Sequence, residues 1–157
     1  MESSTLSTPS GLVRITEDDS TIVGVTWSEE ATTLSISTEN KTLLLAIDQL
    51  NAYFEGSRTE FDLPLAYKKG SPFEHRVWDA MKRIPYGEVW TYGELAEEVG
   101  GVARAVGGAC GANPIPIIIP CHRVVGTSGK LTGFSGGRGI ETKRFLLDME
   151  QGQRNLF

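Results

Sequence analysis

The strongest constraint on the fold of this chain is a short stretch with three prolines and three consecutive isoleucines, NPIPIIIPCHR at 113–123. Proline fixes φ and has no backbone N–H, so this stretch cannot lie inside a helix. The consecutive isoleucines are expected to be buried. We therefore predict a rigid, extended segment that crosses a hydrophobic core and places Cys121 and His122 at its far end.

Two interpretations of Cys121 follow from the sequence alone. A buried cysteine is often only a small, inert hydrophobic residue. A free thiol is a few per cent thiolate at pH 7, and a nearby imidazole would raise that fraction and make the sulfur a nucleophile. Adjacent residues of an extended segment point to opposite sides, so we expect a water molecule to bridge Cys121 and His122.

An imidazole that acts as a base needs a partner to fix its tautomer. Glu150, near the end of the last helical pattern, is a candidate for that carboxylate. A solvent-facing position is the commoner one for such a glutamate, and the residues by themselves favour it.

The composition limits the other classes of protein. The chain has 157 residues with 2 cysteines and 2 histidines, so a disulfide framework is excluded, a four-ligand zinc site has little to draw on, and we expect no metal and no cofactor. No apolar run approaches the roughly 18–20 residues that cross a bilayer, and the N-terminal residues do not resemble a secretory signal. We expect a protein of a reducing compartment: the cytoplasm, or the nucleus in a eukaryote.

The charge and the glycine content predict two domains, 1–70 and 71–157. Residues 1–70 carry 5 basic and 11 acidic side chains, a balance of −6, whereas residues 71–157 carry 10 and 9, a balance of +1. Of the 18 glycines, 13 lie between Gly87 and Gly139. The polar break at 67–70 separates these halves.

The predicted fold class is α+β. In the first half, residues 4–27 are typical of short strands separated by a turn at 17–20, a helix is predicted from Thr42 to Phe54, and Phe61–Leu65 is a further short strand. In the second half, capping boxes begin helices at Ser71 and Thr91. A glycine break at 100–101 and a third helix from Val102 to Ala112 then complete a helix-turn-helix in a mainly helical, winged-helix-like domain.

One family resemblance covers most of the second half. PCHRVVG at 120–126, with NPIPIII before it and SGKLTGFSGG after it, resembles the active-site motif of the methylated-DNA–protein-cysteine methyltransferases, the O6-alkylguanine-DNA alkyltransferases. The similarity continues through VWDAMKRIPYGEVWTYGELA, ARAVGGACGANP and KRFLLDME. A contiguous similarity of this length is highly specific.

The resemblance implies a single-use reaction. Cys121 would take the alkyl group from O6-alkylguanine, with O4-alkylthymine as an open second substrate. His122 would act through water as its base, Glu150 would orient the imidazole, Asn113 would organise the turn before the cysteine, and Tyr92 would assist departure of the guanine. The thioether that forms has no easy route back to a thiol, so each molecule would act once.

The same resemblance implies binding to the minor groove of double-stranded DNA, without sequence preference and as a monomer. Arg104 would enter the duplex where the flipped nucleotide has left. The remaining implied contacts are to DNA by Thr91, Tyr92, Ala105 and Gly107, and to the base by Val124, Val125, Phe134 and Ser135. Phe134 stands where the family often has tyrosine, so one hydroxyl is absent.

Two other functions remain to be compared. Alkyltransferase-like proteins recognise lesions without catalysis and carry tryptophan at the nucleophile position, whereas this chain has Cys121. A cysteine hydrolase would use Cys121, His122 and Glu150, but adjacent cysteine and histidine are poorly placed for a direct hydrogen bond between nucleophile and base.

Overall fold

A computed structural model describes residues 1–28, 39–134 and 136–155, with side chains up to 152. By its internal contacts the chain separates into two units, Met1–Lys68 and Lys69–Phe157. Within the described ranges, no helix combines the length and the apolar character that crossing a membrane requires.

The first unit begins with a three-stranded antiparallel sheet in the order β1-β2-β3. The strands are β1 (Glu2–Thr8), β2 (Gly11–Asp18) and β3 (Thr21–Trp27), which confirms the predicted strand region. The turn between β2 and β3 is tighter than the predicted 17–20, because Glu17 and Asp18 still pair with β3. Only Asp19 and Ser20 remain in the turn, and both have positive φ.

Helix α1 (Lys41–Glu55) packs against this sheet through a stripe that includes Leu43, Ile47 and Leu50. The prediction of a helix over 42–54 is confirmed within one residue at each end. Gly56, at φ 84°, ends the helix in the left-handed conformation that glycine adopts without penalty.

The predicted strand at Phe61–Leu65 is wrong. Leu65 forms only an isolated bridge, with Ile22. The backbone of Asp62 instead bonds to the buried Gln49 side chain, with its N–H 2.9 Å from Oε1 and its carbonyl oxygen 3.0 Å from Nε2. These contacts occupy backbone groups that a strand partner would need, and the period-two pattern did not anticipate them.

In its described residues, the second unit holds four α-helices and a minimal parallel pair of strands. They are α2 (Pro72–Met81), β4 (Trp90–Thr91), α3 (Tyr92–Val99), α4 (Ala103–Gly111), β5 (Val124–Val125) and α5 (Ile140–Asn155). The capping boxes of Ser71 and Thr91 are both present, and Gly100 ends α3 at φ 74°. The α+β class is therefore confirmed, and the contacting helices α3 and α4 take the place of the predicted helix-turn-helix.

The loop before Cys121 is buried as predicted, but the extended course expected for it is wrong. Ile117 has a φ of 74°, and the N–H of Ile119 donates to the carbonyl of Ile115 at 2.9 Å. Asn113 closes the loop, because its Oδ1 accepts from the N–H of Ile115 at 3.0 Å and its Nδ2 donates to the carbonyl of Ile119 at 2.8 Å. The next three residues, Cys121–Arg123, form a 3₁₀ turn rather than a strand.

Candidate active site

Cys121 is a free cysteine at the start of that turn, and only 7% of its surface is exposed. Burial raises the pKa of its thiol, although a hydrogen bond from Asn113 and the charge of Lys143 act in the opposite direction. The resting thiol is therefore protonated at neutral pH. The expectation that a nearby imidazole enriches the thiolate is wrong for this resting state, because burial dominates.

His122 and Glu150 form a buried pair, so the solvent-facing position that the residues by themselves favoured for Glu150 is wrong. The distance from His122 Nε2 to Glu150 Oε2 is 2.6 Å, and both side chains are fully buried. Burial alone would raise the pKa of Glu150, but its contacts with His122 and Arg123 outweigh that effect and hold the pKa well below its usual range. Because the carboxylate can only accept, Nε2 carries the proton and Nδ1 presents a lone pair.

The other ring nitrogen is open to a further partner. Among the described residues, Nδ1 of His122 is buried and has no hydrogen-bond partner. Burial lowers the pKa of His122, so the imidazole is neutral at pH 7 and can accept a proton at Nδ1. A water molecule between this nitrogen and the thiol of Cys121 would connect the two groups.

Arg123 completes the cluster, and the sequence analysis did not assign it a role. Its Nε lies 2.8 Å from Glu150 Oε1, and its second terminal nitrogen lies 3.0 Å from Oε2. The first terminal nitrogen donates to the carbonyl of Ile84 at 2.7 Å. A planar fork that binds both carboxylate oxygens fixes the orientation of Glu150.

Lys143 is a second residue that sequence reasoning missed. Although it is 1% exposed, its Nζ donates to the carbonyl of Thr132 at 2.9 Å and approaches the hydroxyl oxygen of Tyr92 at 3.4 Å. The Tyr92 hydroxyl donates to the same carbonyl at 2.9 Å. A lysine on a helix of mixed polarity gives no sequence sign of such burial, since lysine is usually exposed.

An open cleft of about 500 Å³ adjoins this group. Its lining comes from the start of α3, from α4 and from two loops: Tyr92, Gly93, Ala103, Arg104, Gly107, Gly126, Thr127, Thr132 and Gly133. Three of the predicted site residues, Tyr92, Arg104 and Gly107, therefore line one cleft. Arg104 is exposed there, as a group that enters a duplex would have to be.

Other predicted contact residues do not line this cleft. Val124 and Val125 are buried in β5, where they pair with Trp90 and Thr91. The hydroxyl of Thr91 caps α3 by accepting from the N–H of Glu94. Ala105 is exposed on α4 and Phe134 is half-buried, whereas Ser135 lies outside the described residues.

The second cysteine, Cys110, has a different environment. It is buried in α4 with its sulfur 3.6 Å from that of Met81, and burial raises the pKa of its thiol to about 12. Both cysteines are free. In the parts of the chain that the structure describes, no group of three or more histidine, cysteine or acidic residues is arranged to hold a metal ion.

Two family models match the chain. The DNA-binding domain of 6-O-methylguanine DNA methyltransferase matches residues 72–152, and the ribonuclease-like domain of the same proteins matches residues 1–67. This chain belongs to the 6-O-methylguanine DNA methyltransferase family. The predicted family resemblance is thereby confirmed.

Individual members of the family have high sequence identity to this chain. A methylated-DNA–protein-cysteine methyltransferase of Mycobacterium tuberculosis H37Rv is 58% identical over 108 residues, which cover 68% of this chain and 64% of the relative. The alignment thus spans slightly less than two thirds of that relative. The protein of the same name from Mycolicibacterium paratuberculosis is 45% identical over 156 residues, covering 96% of this chain and 93% of the relative.

Two solved structures from the family have the same fold as this chain. The crystal structure of Mycobacterium tuberculosis OGT in complex with DNA superimposes with a TM-score of 0.82 at 45% identity, over 95% of this chain and 92% of that one. The O6-methylguanine methyltransferase of the same organism gives a TM-score of 0.81 at 42% identity, with the same coverage.

Proposed function

We propose that this protein repairs DNA by direct reversal, transferring the alkyl group of O6-alkylguanine irreversibly to Cys121. The observation that carries the proposal is the buried pair of His122, in the turn that holds the cysteine, and Glu150, on α5, whose Nε2 and Oε2 are 2.6 Å apart. Activity and DNA binding in the named relatives support the same assignment for this chain. O4-alkylthymine is a second candidate substrate to test.

The proposed chemistry is a single displacement. The thiol of Cys121 gives its proton through water to Nδ1 of His122, and Glu150 stabilises the resulting imidazolium. The sulfur attacks the alkyl carbon, so that a carbon–sulfur bond forms while the bond to O6 breaks. The departing guanine takes up one proton, which balances the proton lost by the thiol. The hydroxyl of Tyr92, which lines the cleft, supplies that proton.

Asn113 positions the nucleophile in this mechanism. Its side chain bonds to the backbone on both sides of the isoleucine loop and also reaches the thiol of Cys121. A sulfur held in this way needs little reorganisation before attack.

The proposed partner is double-stranded DNA, bound through the minor groove. The exposed side of α4 carries small residues, among them Ala103, Ala105 and Gly108. Small side chains let a helix backbone approach a groove of about 6 Å closely. Arg104 fills the space left by the extruded nucleotide, and contacts to phosphate, which carry no sequence information, provide the affinity.

The proposed function assigns a role to each half of the chain, an oligomeric state and a location. Residues 71–157 bind DNA and transfer the alkyl group, and residues 1–70 serve as a scaffold. The protein acts as a monomer, as the family resemblance implies. Its location is the cytoplasm, or the nucleus in a eukaryote, because the nucleophilic thiol must stay reduced.

The proposal is tested with a duplex oligonucleotide that carries one O6-methylguanine, followed by mass spectrometry of peptides. We expect one methyl group on the peptide that contains Cys121, with repaired DNA equal in amount to protein. Cys121→Ala should abolish transfer, whereas Cys110→Ala, a matched change at the second buried cysteine, should leave it intact.

Three outcomes would contradict the proposal. Repeated turnover on an ester or amide would indicate a cysteine hydrolase. Tight binding to the lesion with an unmodified thiol would indicate a recognition protein. Methyl transfer to Cys110 would place the nucleophile at the wrong sulfur.

A further inference from the structure

Buried ionisable groups of the turn and of α5 lie close together, and their charges have to balance. Glu150 is a carboxylate with no exposed surface, and Arg123 is 6% exposed. An arginine cannot lose its charge in a protein, so the bidentate contact brings one positive and one negative charge together. His122 donates to the same carboxylate and shares it with Arg123.

We propose that Arg123 is a positioning residue that neutralises Glu150 and thereby keeps His122 an uncharged proton acceptor. This inference rests on the proposed function and deepens it. Without the guanidinium, the full charge of Glu150 would act on the imidazole alone and would favour the imidazolium. A protonated imidazole has no lone pair on Nδ1 and cannot accept the proton of Cys121.

The other groups around His122 do not replace Arg123. Lys143, also on α5, carries a positive charge that likewise disfavours the imidazolium, but its Nζ bonds to Thr132 and Tyr92. Tyr86, whose ring lies 5.6 Å from the Arg123 guanidinium carbon, stays neutral because burial raises its pKa. Cys121 is neutral in the resting state. Arg123, in contrast, contacts the carboxylate of Glu150 directly through two nitrogens.

The hydrogen bonds of Arg123 also show that it orients Glu150 and does more than pack against it. Arg123 uses two nitrogens for Glu150 and a third for the carbonyl of Ile84, which ties the carboxylate to the segment after α2. Lysine at 123 would keep the charge but lose the planar fork. Glutamine would lose both, and would leave a buried carboxylate without its cation.

Nuclear magnetic resonance of the ring nitrogens tests the inference without any substrate. The chain has only 2 histidines, so His75 serves as an internal reference in every sample. In the unaltered protein we expect His122 to be neutral and protonated at Nε2 at pH 6.5. An imidazolium at His122 at that pH would overturn the inference, whether or not any variant folds.

Two substitutions extend this test. In Arg123→Gln, His122 should titrate about one pH unit or more above its position in the unaltered protein, and in Arg123→Lys it should move much less. An unchanged His122 titration in folded Arg123→Gln would show that Arg123 only packs against the site.

The rate of alkyl transfer, measured as a function of pH, tests the inference through function. With free O6-methylguanine as the substrate, the acid limb of the pH–rate profile should move to higher pH in Arg123→Gln, so that the rate at pH 6 falls about tenfold relative to its high-pH plateau. A uniform loss at all pH values would contradict the proposal. Absence of alkyl transfer in the unaltered protein would instead refute the proposed function and leave the nitrogen titration interpretable.

Discussion

At the scale of single residues, the neighbouring groups distinguish two chemically identical thiols. Cys121 receives a hydrogen bond from Asn113 and lies in the turn that holds His122, whereas Cys110 contacts the sulfur of Met81. Burial raises the pKa of both thiols, so neither is a thiolate at rest. In the proposed mechanism the nucleophile is the sulfur that has a route for its proton, and position in the fold provides that route.

At the scale of single residues, the testable prediction concerns Arg104. It is exposed at the mouth of the cleft, and its proposed task is to fill the stack after the nucleotide leaves. Arg104→Ala should slow repair of duplex DNA by at least about tenfold, since extrusion costs a few kcal/mol. Reaction with the free base, which needs no extrusion, should be unchanged.

A matched variant controls for loss of charge. Arg76→Ala removes one exposed arginine from α2, away from the cleft lining, and should affect both substrates little. Equal losses of rate on the duplex and on the free base in Arg104→Ala would remove the proposed role of this residue.

At the scale of elements, the turn between α3 and α4 fixes how the two helices meet. A Cβ added at Gly101 would lie 2.9 Å from Cε1 of Phe73, closer than real Cβ atoms approach a neighbour. Gly100 has φ 74° and open space around its missing Cβ. The first glycine is therefore required for its backbone conformation and the second for close packing.

This difference predicts two distinct effects of alanine. Gly101→Ala should lower the free energy of unfolding by about 1–3 kcal/mol through overpacking and should weaken DNA binding, because α4 has to shift. Gly100→Ala should cost about 1–2 kcal/mol of backbone strain and leave DNA affinity within about twofold. Urea unfolding and a DNA titration measure both quantities. Wild-type affinity in Gly101→Ala would show that the packing at Phe73 does not set the position of α4.

The isoleucine loop also belongs to this scale. Ile117 is a β-branched residue with φ 74°, a backbone conformation that costs about 1–3 kcal/mol. Its burial and the clamp from Asn113 hold it there. Strain of this kind supports the view that the loop is built to place Cys121, since a loop with no such task has no reason to retain it.

At the scale of the whole molecule, the buried site makes stability depend on pH. The pKa values of Glu150 and His122 are both lower in the folded state than in the unfolded chain, so the unfolded chain binds more protons. The stability that each group contributes is complete above its unfolded pKa and is lost as the pH falls. We expect losses of up to about 1.4 kcal/mol per pH unit from His122 below about pH 6.5, with Glu150 adding to them below about pH 4.5.

Urea unfolding at pH 7, 5.5 and 4 measures this dependence. His122→Gln should flatten the curve between pH 7 and 5.5, and Glu150→Gln should flatten it further toward pH 4. A free energy of unfolding that stays constant from pH 7 to 4 in the unaltered protein would contradict the charge states assigned here.

Local patterns in the sequence determined much of this protein. The capping boxes of α2 and α3, the glycine stop of α1 and the burial of the isoleucines follow from short-range chemistry, which needs only neighbouring residues. The motif around Cys121 identified the family, since residues in contact with a reaction are constrained together. Local pattern also predicted a strand at 61–65 and an extended course at 113–120, and there it failed, because the side chains of Gln49 and Asn113 compete for the backbone.

Only the tertiary structure decided the electrostatics of the site. From the sequence, Arg123 and Lys143 would be ordinary surface cations and Glu150 an ordinary helix glutamate. In the structure all three are buried. Their effect on Cys121 and His122 depends on distances between residues far apart in the chain and on the exclusion of water. Coulombic interactions weaken strongly in water and gain strength when buried, so no reading of neighbouring residues could have supplied the charge state of the base or the cation that sets it.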